Sequence, residues 1–503
     1  MSAAFDLAGA LRWLELAEHE LLLFAAVFFA LGALDELLVD LAWLRLRLTG
    51  KARDLPFAEV FGIAPDAPLS GPAAVLIPAW GEAEVIAAML CHCRTSWPQT
   101  AVRFYAGCYR NDPPTLAAMI AGAGGDARVR IVVYEAEGPT TKADCLNRLY
   151  AALVADERRS GVRARSVILQ DAEDMVHPAA LVAIDRALDT ADFVQLPVLP
   201  VPQPRSRWIA GHYGDEFAEA HGKAMVVRDW LGVGIPAAGV GCGFAREALA
   251  GIAAVRGRGT GEAPFAAAPF AAAPFAAAPF AAECLTEDYE LGLLIAAQGG
   301  TSRFLRLRDA DGDLIATREL FPVDLGVAVR QKTRWLHGIA FQGWDRMGWG
   351  VAGKPLRPAE LWMRLRDRRG PLTAIVLAVA YLGIALWGVL AVAQWAGWHD
   401  STPIGAGLRW LLWLNLASFA WRAGVRFGFT AQAYGWAEGL RSLPRIPFAN
   451  VIAIMAGRRA LTAYLRSLAG GRVRWEKTPH LRHASELVVP PSVQLRPVAE
   501  AAR

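Results

Sequence analysis

The sequence predicts an α/β domain built on a mostly parallel, Rossmann-like sheet and framed by transmembrane α-helices. Three observations predict it. Short apolar runs alternate with helical stretches between residues 73 and 170. Three long apolar segments lie outside that region. Of the 503 residues 54% are hydrophobic and only 20% charged, and seven of the 18 Trp fall between Trp387 and Trp436, a composition of membrane segments beside a soluble domain.

The strands come first. "AAVLIPAW" at 73–80 is an apolar run ending in proline, as a buried strand does. A helix is expected from Glu82 to Cys93. "VRFYAGCY" at 102–109 is a second strand, after which "NDPPT" opens a helix at Thr115. "VRIVVYE" at 129–135 is a third, followed by the long helical stretch "GPTTKADCLNRLYAALVADE", and "SVILQ" at 166–170 is a fourth. Strands alternating with helices form a parallel, doubly wound sheet, whose ligands bind beyond the carboxyl ends of the strands.

The apolar segments set the remaining organisation. Leu21–Leu44 has the length of a bilayer-crossing helix. Glu15, Glu18 and Glu20 precede it where a cleaved signal would be basic. "RLRLTGKAR" comes after it and marks the cytoplasmic side. A second span is expected at Leu372–Ala396 after the basic "RLRDRRG", and a third from about Leu408 to Phe429, with "HDSTPIGAG" as the outer loop. The expected domains are therefore 1–50, one transmembrane helix; 51–368, a cytoplasmic domain; 369–437, two transmembrane helices; and 438–503, an interfacial helix and tail. That helix is expected at Asn450–Arg466, apolar on one face and basic on the other. Glu36 and Asp40 on the first span, and Arg422 and Arg426 on the third, share a spacing of four, which puts each pair on one helix face. Ion pairing between those helices is expected, because unpaired charge is costly there.

The net charge of +4 and the absence of a basic tract give no support to nucleic-acid binding. The six cysteines form no CxxC pair, and "CHC" at 91–93 lacks a second cluster to complete a metal site. Free thiols in a reducing compartment are expected.

Chemistry enters at "SVILQDAEDMVHP", residues 166–178. Asp171 and Glu173, one residue apart just past a strand's carboxyl end, can both face a hard divalent cation; Asp174 reads equally as an N-cap of the helix after it. "CLTEDYELGLLI" at 284–295 places Glu287 and Asp288 before an apolar helical run, and "RQKTRWLHG" at 330–338 places Gln331, Arg334 and Trp335 on a helix. These motifs, with Asp112 in "RNDPPT", "PAWGE" at 78–82 and "KADCLN" at 142–147, occur in the order of membrane-embedded family 2 glycosyltransferases of the cellulose-synthase-like type, which the chain resembles over roughly residues 70–350. "YGWAEGLRSLPRIPFANVIAIMAGRRAL" and "WEKTPH" resemble the phage-adsorption protein B group of inner-membrane glycosyltransferases. Some members of that group carry a further regulatory domain after the membrane region, which this chain is expected to lack.

The resemblance implies a GT-A catalytic domain that moves a sugar, with inversion, from a nucleotide-diphospho-sugar to a glycan acceptor at a bacterial inner membrane. It implies Asp288 as base with Glu287 beside it, and Mg²⁺ or Mn²⁺ on Asp171 and Glu173. Glu82, Asp112, Lys142, Asp171, Gln331 and Arg334 would bind the donor. Gly241, Cys242, Gly243 and Trp335 would face the acceptor. The implied partners are the donor, a glycan or lipid-linked acceptor, membrane lipid and an outer-membrane or export partner. Single-sugar transfer to a polyprenyl phosphate, or a non-catalytic membrane scaffold that keeps the fold, are the alternative readings. The sequence departs from the family pattern twice: DxE replaces DxD, and "TK" replaces "GK" before the long helix.

"GVGCGF" at 239–244 lacks the GxGxxG spacing of a dinucleotide site. His177, His212 and His221 are expected to be structural. "APFAA" occurs four times in residues 263–282, and a proline in every unit blocks both helix and strand; a mobile loop is expected there, with a hydrophobic lid as its rival.

Overall fold

The computed structural model describes residues 7–258, 278–349, 357–470 and 483–484. By contact, the chain divides into two units. One gathers the described residues of Arg53–Gln203, Gly232–Phe321 and Lys477–Arg503, the other those of Met1–Ala52, Pro204–Leu231 and Pro322–Glu476. Residues 204–231 and 322–368, expected from the sequence to belong to the α/β domain, group with the apolar helices instead. The first three copies of the repeat, 263–277, lie outside the described residues.

The α/β unit is built on seven strands: β1 (Ala73–Pro78), β2 (Val102–Tyr109), β3 (Val129–Tyr134), β4 (Ser166–Leu169), β5 (Phe193–Gln195), β6 (Cys242–Ala245) and β7 (Ser302–Phe304). Their order is β3–β2–β1–β4–β6–β5–β7. Every neighbouring pair is parallel except the two made by β6, which runs antiparallel to β4 and β5. The chain winds outward from β1 to β3, then returns to lay β4 on the other side of β1. The strand order thus reverses between β1 and β4, and a crevice opens beyond their carboxyl ends. Val75, Leu76, Ile77, Val167 and Ile168 are fully buried, as continuous apolar runs in a sheet covered on both faces must be.

The four expected strands are present, and their boundaries move by a residue or two. The first helix begins at Ile86 rather than Glu82. The second, Pro113–Ala123, begins with proline at its first position and Asp112 as N-cap, so it opens two residues before Thr115. The last three residues of "GVGCGF" are strand, because Cys242–Ala245 forms β6 in mid-sheet.

In the helical unit, Leu7–Leu48 is one helix that packs on Gly370–Trp395 and Ala406–Tyr434. Among the described residues two helices, Leu7–Leu48 and Gly370–Trp395, are long and apolar enough to cross a membrane. Ala406–Tyr434 forms where the third span is expected, but Arg409, Asn415, Arg422 and Arg426 lower its apolar character. Gly435, at φ +88°, breaks the chain there; a residue with a Cβ adopts that conformation poorly. The next helix, Trp436–Leu468, passes through Pro444 and Pro447 and contains the expected interfacial segment. Its small-residue face packs on protein: Ala456 and Ala460 are fully buried, and a Cβ at Gly457 would strike Ala374.

Of the charges expected to pair between helices, Glu36, Asp40 and Arg422 do meet, in a larger network. Arg422 lies 3.1 Å from Glu36, 3.8 Å from Asp40 and 2.7 Å from Glu219. Lys223, only 2% exposed, meets Asp40 and Glu219, the latter at 2.7 Å. Arg366 and Arg369 each bridge Asp35 and Glu36. The indole N–H groups of Trp421 and Trp362 donate to Asp40 at 2.8 Å and to Asp35 at 2.6 Å.

Candidate active site

The residues at the crevice are placed by strand ends and helix starts. Past β1, the Gly81 N–H donates to Asp112 Oδ2 at 2.6 Å, and the Glu82 N–H donates to Thr115 Oγ1 at 2.9 Å. Asp112 Oδ1 also accepts from Thr115 N–H at 3.4 Å. Asp112 therefore ties the "WGE" turn to the start of the Pro113–Ala123 helix. Glu82 and Asp112 are both buried.

Past β4, Asp171 meets Lys142, whose Nζ lies 2.6 Å from Asp171 Oδ1. Lys142 is the first residue of the Lys142–Ser160 helix, capped by the Thr141 hydroxyl. Glu287 and Asp288 open the Glu287–Ala297 helix. Gly239 joins these groups. At φ +78°, it lies so close that a Cβ would collide with the Asp288 carboxylate and come 3.2 Å from Lys142 Nζ. Lys142, Asp171, Glu287, Asp288 and Gly239 thus converge. Gly239 is a site residue that sequence reasoning missed. Its signal is present, as the first glycine of "GVGCGF", but the family resemblance points to Gly241, Cys242 and Gly243.

The electrostatics arise from that crowding. Burial opposes the charge on Lys142, yet Asp171, Glu287 and Asp288 outweigh it and hold the ammonium above the ordinary lysine range. Burial pushes Glu287 up to about 7, the charge of Asp288 adds to this, and Lys142 opposes it. Glu287 Oε1 is buried without a hydrogen-bond partner. Burial and the neighbouring Asp288 likewise raise the Cys242 thiol, with Lys142 opposing, so the thiol stays protonated.

Asp174 does not cap the next helix, which starts at Ala180. It is fully buried, and its Oδ2 accepts the Asp171 N–H at 2.7 Å. Burial, then the charges of Asp171, Glu319 and Glu173, push its carboxyl well above the usual range. Glu173 is buried at 5% exposure, whereas the Asp171 side chain keeps 26%. No group of three or more His, Cys, Asp or Glu among the described residues has metal-binding geometry.

Cys242 and Gly243 pair with Leu169 and Ile168 across the β4–β6 ladder. A Cβ at Gly243 would strike Ile184, so this glycine admits a helix onto the sheet; Gly241, at φ +57°, lies against Thr317 Oγ1. Gln331, Arg334 and Trp335 sit in the helical unit on Leu325–Leu336, where Gln331 is buried and the Trp335 ring meets Tyr213 edge-on at 6.0 Å. His177 is structural: Nδ1 accepts from Ala179 N–H, and Nε2 lies 3.2 Å from Asp309. His92, centre of the "CHC" triplet, donates to the Val176 carbonyl at 2.8 Å.

The last repeat copy is part of this core. Phe280 is 2% exposed, its N–H donates to Asn147 Oδ1 at 3.0 Å, and its carbonyl accepts from Asn147 Nδ2 at 2.9 Å. Thr141 Oγ1 donates to the Ala282 carbonyl at 2.9 Å. The "KADCLN" helix therefore anchors the strand of chain that leads into Glu287 and Asp288. For this copy the mobile-loop expectation fails, because a two-point amide contact fixes the backbone.

The mostly parallel α/β sheet is the one expected of a GT-A domain, with its charged cluster at the point where strand order reverses. Residues 71–338 match the family described as "Glycosyltransferase like family 2", and the chain belongs to that family. Bacteriophage adsorption protein B of Escherichia coli K12 is 32% identical over 483 residues, which cover 90% of this chain and 61% of that protein; bacteriophage N4 adsorption protein B of Escherichia coli O157:H7 matches to the same extent. The chain spans 61% of the length of those relatives. Among solved structures, a mannosyltransferase from Pyrobaculum calidifontis in complex with GDP-Man and Mn²⁺ is similar at TM-score 0.45 and 16% identity, over 84% of this chain and 99% of that one. A glucosyl-3-phosphoglycerate synthase from Mycobacterium tuberculosis, in complex with Mg²⁺ and uridine-diphosphate, is similar at TM-score 0.30 and 15% identity, over 57% of this chain and 83% of that one.

Proposed function

We propose that this protein transfers a sugar from a nucleoside-diphospho-sugar to a glycan acceptor, with inversion at the anomeric carbon, at the cytoplasmic face of an inner membrane. The convergence of Lys142, Asp171, Glu287 and Asp288 around Gly239 carries this reading, together with membership of family 2. In the transfer, the acceptor oxygen attacks the anomeric carbon as the bond to the diphosphate breaks. The bonding pair leaves on the diphosphate, and Asp288 takes the hydroxyl proton. Lys142 offsets the charge that develops on the departing oxygen. Glu287, raised to about 7, is partly protonated near neutrality, which lessens the negative charge beside the base.

The residues fit a hard divalent cation. Asp171 offers an accessible carboxylate, and in the absence of a three-ligand cluster among the described residues the other ligands would be diphosphate oxygens and water, as Mg²⁺ commonly takes. Asp171, with Glu173 behind it, would hold Mg²⁺ or Mn²⁺, which supplies charge neutralisation on the diphosphate when bound. Arg334 suits the diphosphate through its planar fork and Trp335 suits the stacking of a sugar ring; both are proposals on the family pattern. Arg45 and Arg47 close the first apolar helix and support a cytoplasmic side for the chain beyond Leu48.

The test is nucleoside diphosphate release by the detergent-purified protein over a panel of sugar nucleotides with Mg²⁺ or Mn²⁺, beside Asp288→Asn. Release from one donor that vanishes in the variant is expected. Nucleotide binding without release from any donor would sink the catalytic reading.

A further inference from the structure

We propose that His483, on the C-terminal segment, is a positioning residue of the donor site: it fixes the Asp171–Asp174 turn through the main-chain carbonyl of Asp174. The inference rests on the donor-site reading of Asp171 and Lys142 under Proposed function.

His483 and Ala484 are both fully buried. Ala484 packs with Met175, Val201 and Leu320, so its contact begins one residue past Asp174. His483 Nε2 lies 2.9 Å from the Asp174 carbonyl, across 309 positions of sequence. A carbonyl only accepts, so Nε2 carries the proton and the ring donates.

A chain of hydrogen bonds then runs from the tail to the candidate site. His483 holds the Asp174 carbonyl. Asp174 Oδ2 accepts the Asp171 N–H at 2.7 Å. The Asp171 carboxylate holds Lys142 Nζ at 2.6 Å. The neighbouring carbonyls are fixed in the same way: Val176 accepts from His92 Nε2 at 2.8 Å and His177 from Trp97 Nε1 at 3.0 Å. Met175 pairs with Arg318 through two backbone bonds of 2.9 Å. The turn is therefore clamped on its protein side residue by residue, while the Asp171 side chain remains partly exposed. Two of the three ring donors, His92 and Trp97, come from near the helix after β1. The third comes from the far end of the chain, so the seating of His483 and the geometry of the donor turn are coupled. Removing that donor leaves a buried carbonyl unpaired, and the turn relaxes by moving Asp174, which carries Asp171 with it.

The experiment uses the full chain in detergent with UDP and GDP, each with Mn²⁺, as binding probes. It compares His483→Ala, His483→Asn and His483→Gln. A glutamine amide reaches the Nε2 position and donates; an asparagine amide does not. The Ala and Asn variants are expected to weaken nucleotide binding about tenfold, the scale of one hydrogen bond lost from a buried group. The donor KM should rise with it and kcat should stay near wild type. His483→Gln should restore both. A lowered Tm with unchanged binding and KM in His483→Asn would reduce His483 to packing, and a Gln variant no better than Asn would overturn the hydrogen-bond role. If His483→Ala does not fold, the Asn–Gln contrast still decides. Wild-type protein that binds neither nucleotide would refute the donor-site reading itself, and this inference with it.

Discussion

In the helical unit, Asp35, Glu36, Asp40 and Glu219 face Lys223, Arg366, Arg369 and Arg422, four charges of each sign. At the strand ends of the α/β unit, Asp171, Glu287 and Asp288 act on the ammonium of Lys142. The first group is balanced, and two tryptophan indoles take further carboxylate oxygens. The second is crowded: three carboxylates press on one ammonium, and one of them is driven up to about 7. Balance marks a network that holds helices together, because removing any member leaves a charge uncompensated. Excess of one sign fits the proposed donor site, since a bound cation or a developing positive charge would relieve it.

That contrast can be broken by experiment. The largest effect is expected from Asp288→Asn, which removes the proposed base and should lower turnover by roughly 10²–10⁴-fold with nucleotide binding retained. Lys142→Met should weaken donor binding by roughly tenfold to a hundredfold, the worth of a charged hydrogen bond, measured as the Kd for UDP or GDP with Mn²⁺. If Lys142→Met instead lowered Tm and left nucleotide affinity unchanged in the folded protein, the cluster would be structural like the other. Lys223→Met should do the reverse: about 3 kcal/mol or more of stability lost, read from Tm, and unchanged nucleotide affinity in the fraction that folds. Exchanging Glu36 and Arg422 should not rescue, because an arginine at 36 would then face Arg366, Arg369 and Lys223; a cycle with Glu36→Gln and Arg422→Gln isolates the coupling.

The pH dependence sharpens the same point. Glu287 ordinarily titrates at 4.5 and is raised to about 7 in the fold, first by burial and then by Asp288. Between those values the folded state holds a proton on Glu287 that the unfolded state has lost, so the contribution of Glu287 to stability is fully present below about 4.5 and is lost as pH rises to about 7. Tm measured across that window should fall with pH less steeply in Glu287→Gln. The smallest effect is expected from deleting residues 263–277: the copy held by Asn147 remains, and turnover should stay within about twofold, since the length of chain between two fixed points changes closure entropy only slowly.

Sequence by itself determined the elements whose causes are local. Apolar runs of six to eight residues gave β1 and β2, and the order of acidic and basic motifs gave every member of the charged cluster except Gly239. Spacing along a helix gave the pairing of Glu36 and Asp40 with Arg422, but not Lys223, which reaches them from 183 positions away. Long-range closeness was what the tertiary structure alone decided. β6 reverses direction between β4 and β5, a pairing no local pattern specifies. Gly239 meets Asp288 only because the strand ends converge. The fourth repeat copy is ordered by an asparagine that stands more than a hundred residues before it, and His483 reaches Asp174 from the far end of the chain. Helix and strand arise from the periodicity of neighbours, whereas a site depends on which distant residues the finished packing brings within hydrogen-bond reach.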